Sequence, residues 1–310
     1  CKDTVRHYMS LVGDTVRLRH ATTPYLPDSA LPESDDESRG VLADVACSIL
    51  MKGLWLCRLG RPDSQKAIQN LATHLHKWTV NDDRRVKRIM DFYWTTRDHQ
   101  LVGRIRDWPE DLCLTLWVDA DFCGSKDDTK STTGAFLALT GPRGTFMPLA
   151  WIVKKQSATS RSTTEAEMVA LCYALFSEAL PTLDLWEKVL GRKVRLIVME
   201  DNQATIKIAK AGFSNRLRHV ARHHKTDIGS AAEVFERGDG ELWFCDSVKQ
   251  VADVFTKDLE PMKWPNAMEL LGMRTVDPLN VNESPYFPAG EDGVFTAKKK
   301  YEKKKKRKER

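Results

Sequence analysis

Four acidic residues lie at the ends of predicted secondary-structure elements, where a carboxylate can be held outside a core on a rigid support. Asp119 ends the apolar run LCLTLWVD, and Asp201 follows the run VRLIVME. Glu167 lies in the first turns of a predicted helix, and Asp253 lies in the segment QVADVF. If the two strands are neighbours and both helices pack on the same sheet, the four carboxylates converge.

Converging carboxylates repel one another and raise each other's pKa values, so such a cluster needs a positive partner. The partner that suits carboxylate oxygens is a hard divalent cation, and Mg²⁺ keeps several waters besides its protein ligands. Two such ions about 4 Å apart can hold the attacking water and the leaving oxygen of a phosphodiester in line. The pattern therefore predicts a site for two Mg²⁺ ions, with Mn²⁺ as a substitute.

Each of the four acids also has an ordinary structural role. Asp119 can end a strand in a turn, and Asp253 can be solvated. Glu167 can favour a helix N-terminus through the helix dipole, and Asp201 can cap the helix that follows it. The catalytic interpretation depends on all four residues fitting one pattern.

The elements that must position these acids form an α+β, or mixed α/β, pattern. Short apolar runs separated by turn signals such as GPRG predict an antiparallel meander of strands at 112–119, 133–140 and 146–153. A long helix is predicted at 162–190, where Ser162 and Glu165 have capping-box spacing and Pro181 should kink or break it. Then follow a strand, a helix, a basic helix, a strand and a short helix, predicted at 194–200, 203–210, 216–237, 241–246 and 249–258.

The segments on either side of this block differ from it in composition and in predicted secondary structure. Segment 1–40 is expected to be a loop-rich linker, because its second half is rich in Pro, Ser and Asp. Residues 41–107 predict a small helical block. The segment 275–310 is expected to be a tail that ends in KKKYEKKKKRKER. This basic run is expected to be disordered and to bind nucleic acid or import factors, or only to solubilise the chain.

Composition limits the class of protein further. The chain has 310 residues, of which 42% are hydrophobic and 29% charged, as in soluble globular proteins of one or two domains. No apolar run is expected to span a membrane, which needs about 20 residues. Seven scattered cysteines indicate reduced core thiols. We therefore expect an intracellular protein, in a cytoplasmic particle or the nucleus, and its start at Cys1 indicates a fragment or a processed piece.

Six motifs occur in an order that resembles one known family. They are WVDADFCG, KSTTGAFLALTG, SRSTTEAEMVAL, EDNQATIKIAK, RHV and QVADVFTK, within residues 112–272. This segment resembles the RNase H domain of Ty1/copia-type retrotransposon Pol polyproteins. The resemblance implies a five-stranded mixed sheet flanked by helices, and hydrolysis of the RNA strand of RNA–DNA hybrids.

The resemblance also implies which residues carry the chemistry. The catalytic, metal-binding acids of the family fall on Asp119, Glu167, Asp201 and Asp253. Glu167 is preferred over Glu165, because Glu165 is expected to be occupied by the capping box. Asp121 and Glu200 remain possible substitutes for their neighbours.

Residues 41–107 resemble the end of the reverse transcriptase of the same polyprotein, on the segments GRPDSQKAI and VKRIMDFYWTT. Because the Tyr-x-Asp-Asp motif is absent from the sequence, we expect no polymerase activity. Other parts of a Pol polyprotein are the expected partners. The motif RHVA has Ala221 where the family pattern has an acid, so the alternative is a diverged, inactive fold that binds nucleic acid without cutting it.

Basic residues outside the tail form the predicted nucleic-acid contacts. Lysines follow the third strand, and a second group lies in the basic segment RLRHVARHH, which together give Lys154, Lys155, Arg216, Arg218, His219 and Arg222. Contact with the phosphates of a hybrid backbone is one interpretation, and a solvated surface is the other.

Overall fold

The computed structural model describes residues 1–13, 16–124 and 129–275, so the basic run at 298–310 lies outside the described residues. In this part of the chain the helices are Lys2–Val12 (α1), Ala46–Leu59 (α2), Gln65–Thr73 (α3), Val80–Thr95 (α4), Thr163–Ala174 (α5), Leu180–Leu190 (α6), Gln203–Ala211 (α7), Val220–His223 (α8), Ile228–Glu236 (α9), Asp253–Thr256 (α10) and Trp264–Leu271 (α11). The strands are His99–Leu101 (β1), Cys113–Asp121 (β2), Thr132–Thr140 (β3), Phe146–Lys155 (β4), Arg195–Glu200 (β5), Glu241–Phe244 (β6) and Met273–Thr275 (β7).

The central sheet has five strands in the order β4-β3-β2-β5-β6. β2, β3 and β4 form an antiparallel meander, whereas β5 pairs in parallel with β2 and β6 pairs in parallel with β5. The predicted fold class, an RNase H-like mixed sheet flanked by helices, is therefore confirmed. The order places the ends of β2 and β5 side by side.

Alternation along the central strands divides the hydrophobic residues between two cores, one on each face of the sheet. On β2, Leu114, Leu116 and Val118 pack with α5 and α6, whereas Trp117 packs on the opposite face. β5 alternates in the same way, with Leu196 and Val198 on the α5 face. Period-two alternation in a strand buried on both faces produces this layout.

The helical block formed by α2, α3 and α4 packs on the face of the sheet opposite α5. Its buried side chains, such as Ile68 and Tyr93, belong to the same core as Phe136 of β3. The indole N–H of Trp151 on β4 donates to the carbonyl of Cys57 at 3.1 Å. Residues 41–107 and 112–272 therefore share one core, and the domain limits drawn from the sequence stay a prediction.

Two features of the described chain depart from the sequence predictions. Lys2–Val12 is helical and buries Val5 and Tyr8, so the interpretation of segment 1–40 as loop-rich is wrong for residues 2–12. In addition, β1 and β7 form a small antiparallel pair that the sequence did not indicate.

The long helix was predicted to kink or break at Pro181; it does not break, but its geometry changes just before this residue. A single π-helical turn, Leu175–Ala179, joins α5 to α6, and Pro181 lies in the first turn of α6. In a π-helical turn the backbone pairing shifts to i→i+5, and such a turn just before the proline is a common cause of helix kinks. The combined helix Thr163–Leu190 is long and apolar enough to cross a membrane, although no such segment was predicted from the sequence. Half of its apolar window is buried against the protein, as in a core helix.

The prediction of a single basic helix at 216–237 is also wrong. The segment forms the short helix α8 and the separate helix α9. Lys225 between them has a positive φ of 54°, and the Asp227 carboxylate caps α9 by accepting from the backbone N–H of Gly229 at 2.9 Å. A left-handed residue followed by a new N-cap ends one helix and begins another.

Candidate active site

Asp119 lies near the end of β2, and hydrogen bonds from the segment around α10 fix both its side chain and its strand. Its side chain is buried, and the hydroxyl of Thr256 on α10 donates to its Oδ2. The side chain of Gln250 donates from Nε2 to the carbonyl of Val118 at 2.9 Å, which fixes the loop before α10 to the same strand. The glutamine and threonine of the QVADVFT segment therefore position Asp119.

Asp253 begins α10, and this short helix lies very close to β3. A Cβ built on Gly134 would lie 2.5 Å from Cγ2 of Thr256 and 3.1 Å from the carbonyl oxygen of Ala252. Since Gly134 pairs directly with Asp119 across the two strands, the glycine of the KSTTG motif gives α10 the space that brings Asp253 toward Asp119.

Asp201 follows the last residue of β5 and is free of the capping role that was its structural alternative. The cap of α7 is Asn202, whose side-chain oxygen accepts from the backbone N–H groups of Ala204 and Thr205 at 2.9 and 3.2 Å. The interpretation of Asp201 as the N-cap is therefore wrong.

Glu167 lies in the first turns of α5 and is buried. In nearby Glu165, both carboxylate oxygens already accept hydrogen bonds. Glu165 Oε1 accepts from Nε2 of His219 and of His224, both at 3.0 Å, and its Oε2 accepts from the backbone N–H of Arg161 at 3.0 Å. The Ser162 hydroxyl caps α5, but the reciprocal contact of the predicted capping box goes to Arg161 instead. The preference for Glu167 over Glu165 agrees with this arrangement.

The predicted acids meet at the adjoining ends of β2 and β5. One carboxylate oxygen from each of Asp119, Asp201 and Asp253 lies within 4.8 Å of the others. One oxygen from each of Glu167, Glu200 and Asp201 forms a second group of the same size. All four predicted acids are therefore brought together through Asp201, and Glu200 joins them as a fifth.

The clustered carboxylates are strongly perturbed. Burial raises the pKa of Asp119 to about 7, although the nearby ammonium of Lys257 opposes this change. Burial, followed by the charges of Glu200 and Asp119, raises the pKa of Glu167 to about 11. Burial also raises the pKa values of Glu200 and Asp201. Without a cation, the cluster therefore holds its negative charge poorly.

Lys257 supplies the positive charge that lies closest to the aspartates. Its Nζ lies 2.6 Å from Oδ1 of Asp253 and 3.3 Å from Oδ1 of Asp119. Burial lowers the pKa of Lys257, but Asp119 and Asp253 outweigh it and raise the pKa. Sequence reasoning missed this residue, although QVADVFTK places it four residues after Asp253 on one helical face.

The residues present fit a hard divalent cation. The available donors are carboxylate oxygens, which Mg²⁺ and Mn²⁺ prefer. Oε2 of Glu167 and Oε2 of Glu200 are buried and have no hydrogen-bond partner. Asp119, Glu167 and Asp201 also line an open cleft of about 570 Å³, which gives solvent and ligands a route to the cluster.

The predicted nucleic-acid contacts lie in two places. Lys154 and Lys155 border a second cleft of about 600 Å³, together with Lys225, and Nζ of Lys154 lies 3.9 Å from the ring centroid of Tyr173. In the other group, three arginines are exposed: Arg216, Arg218 and Arg222. His219 is half-buried and bound to Glu165, so it serves the local fold.

Relatives of this chain are retrovirus-related Pol polyproteins. The polyprotein from transposon RE1 of Arabidopsis thaliana is 26% identical over 284 residues, which is 88% of this chain and 18% of the relative. The polyprotein from transposon RE2 of the same plant is 28% identical over 221 residues, or 70% of this chain and 14% of the relative. The polyprotein from transposon TNT 1-94 of Nicotiana tabacum is 25% identical over 77% of this chain.

The chain thus spans less than a fifth of the length of these curated relatives. Its homologues are Pol polyproteins of Ty1/copia-type transposons, and the resemblance predicted from the six motifs is confirmed. No protein-family model matches the chain.

Two solved structures show weak overall similarity. An RNase H1 isolated from compost aligns with a TM-score of 0.33 and 14% identity, over 46% of this chain and 92% of that one. The native protease–reverse transcriptase of prototype foamy virus aligns with a TM-score of 0.30 and 14% identity, over 55% of this chain and 22% of that one. The assignment of the fold rests on the strand order and directions described above.

Proposed function

We propose that this chain is the RNase H region of a transposon Pol polyprotein and hydrolyses the RNA strand of RNA–DNA hybrids with a divalent metal. The observation that carries the proposal is the convergence of Asp119, Glu167, Asp201 and Asp253 at the adjoining ends of β2 and β5, beside an open cleft. Carboxylate clusters of this kind suit phosphodiester hydrolysis because little covalent chemistry is asked of the protein.

Asp119, Glu167, Asp201 and Asp253 would hold the metal, with two Mg²⁺ ions as the proposed number and Mn²⁺ as a substitute. When bound, the metal would activate water and stabilise the charge that develops on the phosphodiester. The chain's own residues then position the acids. Thr256 and Gln250 orient Asp119 and its strand.

The proposed substrate follows from the relatives and from the basic residues on the surface. RNA-containing duplexes are recognised by backbone shape and 2′-hydroxyl groups rather than by sequence. Lys154 and Lys155, beside the second cleft, and the exposed arginines Arg216, Arg218 and Arg222 are the proposed phosphate contacts. The remaining parts of a Pol polyprotein are proposed as partners, in a cytoplasmic particle or the nucleus.

A second candidate function is binding of nucleic acid without cleavage. The observation that favours it is the ion pair of Lys257 with Asp119 and Asp253, which already neutralises part of the cluster. If this ammonium cannot be displaced or shifted, a metal cannot use these two aspartates together.

The test is cleavage of a labelled RNA–DNA hybrid by the full chain with Mg²⁺. D201N removes one charge at the centre of the cluster, and we expect a loss of more than about 100-fold, since changes further from a metal already cost 10- to 100-fold. D239N, which changes an exposed aspartate, is the matched control. A folded protein that binds the hybrid but does not cut it would favour the second candidate.

A further inference from the structure

Glu200 differs from the other acids of the site in the face of the sheet that it occupies. It continues the alternation of Leu196 and Val198, whose side chains belong to the core beneath α5. Asp119 lies on the opposite face, where Thr256 and Lys257 contact it. Glu200 and Glu167 therefore form a pair of acids on the α5 side of the sheet.

This pair is buried and lacks compensation. The exposed fraction is 0% for Glu200 and 3% for Glu167. Glu200 Oε1 accepts from the backbone N–H of Asn202 at 3.0 Å, but Oε2 of each residue is buried without a hydrogen-bond partner. Unpartnered carboxylate oxygens are costly to bury, and two of them side by side are suited to bind a cation.

Lys257 does not fill this role. Its Nζ makes its ion pairs with Asp119 and Asp253 on the other face. Among the described residues no lysine or arginine forms an ion pair with Glu167 or Glu200. The charge of Lys257 acts on both glutamates only from a distance, so a cation in direct contact with the pair would have to come from outside the protein.

We propose that Glu200 is a fifth carboxylate ligand, which with Glu167 and Asp201 holds a divalent cation on the α5 side of the sheet. The three residues offer oxygens within 4.8 Å of one another, and Asp201 also belongs to the group with Asp119 and Asp253. Glu200 thus adds a charge to one of two adjoining positions that share Asp201. The inference rests on the proposed function, because it assumes that Asp201 binds metal.

The surroundings of this position also indicate which ion it prefers. Glu167 and Glu200 leave little exposed surface, so an ion there must give up much of its water shell. Mg²⁺ demands near-ideal octahedral geometry and dehydrates reluctantly, whereas Mn²⁺ also accepts carboxylate ligands. We therefore expect this position to bind Mn²⁺ more tightly than Mg²⁺.

The test is calorimetric titration of the metal-free full chain with Mn²⁺, with free Mn²⁺ followed by electron paramagnetic resonance. Wild type, E200Q and the exposed control E236Q are compared. We expect two ions bound to wild type and to E236Q. In E200Q one of the two should weaken at least about tenfold, the lower end of losses when groups around a metal change.

The outcomes separate the inference from the proposed function. Two ions bound with unchanged affinity in E200Q would overturn the role of Glu200 and leave the proposed function standing; this is the result if Glu167 and Glu200 only share a proton. No ion bound to folded wild type would overturn both.

Thermal unfolding gives a second measurement. Metal-free E200Q should melt at the same temperature as wild type or higher, because an uncompensated buried acid is removed, while its gain in melting temperature from Mn²⁺ should be smaller. An E200Q protein that is unfolded without metal, or that gains as much from Mn²⁺ as wild type, would contradict the assignment.

Discussion

Gly134 of β3 lies directly opposite Asp119 of β2, and the same glycine is the point where α10 approaches the sheet. An added Cβ would lie 2.5 Å from Cγ2 of Thr256, the residue whose hydroxyl donates to Asp119. The absence of a side chain at one strand position therefore controls how Asp253 and Thr256 reach Asp119.

Replacement of Gly134 by alanine should displace α10. We expect G134A to lose about 1–3 kcal/mol of unfolding free energy, the usual cost of overpacking a core, and to lose most hybrid cleavage because Asp253 moves away from Asp119. Urea unfolding and the cleavage assay measure the two effects. G60A is the control, because nothing lies within 4 Å of a Cβ built on Gly60 and its φ is not positive. Unchanged stability and activity in G134A would contradict the packing argument.

Lys257 should stabilise the metal-free protein more than the metal-loaded one. In K257M the buried Asp119 carboxylate loses its ionic partner, so we expect a loss of about 1–3 kcal/mol without metal, the range for hydrogen bonds to charged groups. Mg²⁺ should restore most of this loss, because it supplies positive charge to the same oxygens. The measurement is urea unfolding with and without Mg²⁺, and K210M, which changes an exposed lysine of α7, is the control. Equal losses in both conditions would show that Lys257 acts only by packing.

The strand that carries Asp201 was predictable because its signal is local. Val194 to Met199 are apolar apart from Arg195 and are followed by acids, and burial on both faces produces such a run. The same alternation places Glu200 on the face of Leu196 and Val198. The burial of Glu200 could therefore have been expected, although its approach to Glu167 depends on how α5 packs.

Other features had no local signal. The contact of Glu165 with His219 and His224 joins residues more than fifty positions apart and ties the basic segment to the start of α5. The pairing of His99 with Thr275 joins the segments before and after residues 112–272 through strands of three residues each. Such short strands carry too little periodicity to be recognised before the tertiary contacts are known.

The metal-free site should make stability depend on pH. The pKa of Asp119 is about 7 in the folded protein, above its ordinary value of 3.8, so the folded state binds more protons than the unfolded state between these values. Stability from this group is therefore present at low pH and is lost as pH rises toward about 7. We expect D119N to gain melting temperature relative to wild type over this window.

Metal should reverse this trend, because only the ionised carboxylate binds a cation. The measurement is the melting temperature of wild type and D119N, with chelator or with Mg²⁺, at several values between about pH 5 and 8. The difference between the two proteins isolates Asp119 from the other titrating groups. A metal-free difference that shrinks as pH rises would contradict the raised pKa.

The exposed arginines Arg216, Arg218 and Arg222 should contribute to binding of the hybrid through charge alone. Each alanine substitution should weaken binding and lower the slope of log affinity against log salt by about 1, because each removes one phosphate contact. The loss should be the same for hybrids of different sequence, since phosphates carry no sequence information. Fluorescence anisotropy with D201N, which should not cut the probe, measures binding at several salt concentrations. K52A, on the helical block, is the control for general loss of charge. If the salt slope of the arginine variants equals that of K52A, these side chains form only a solvated surface.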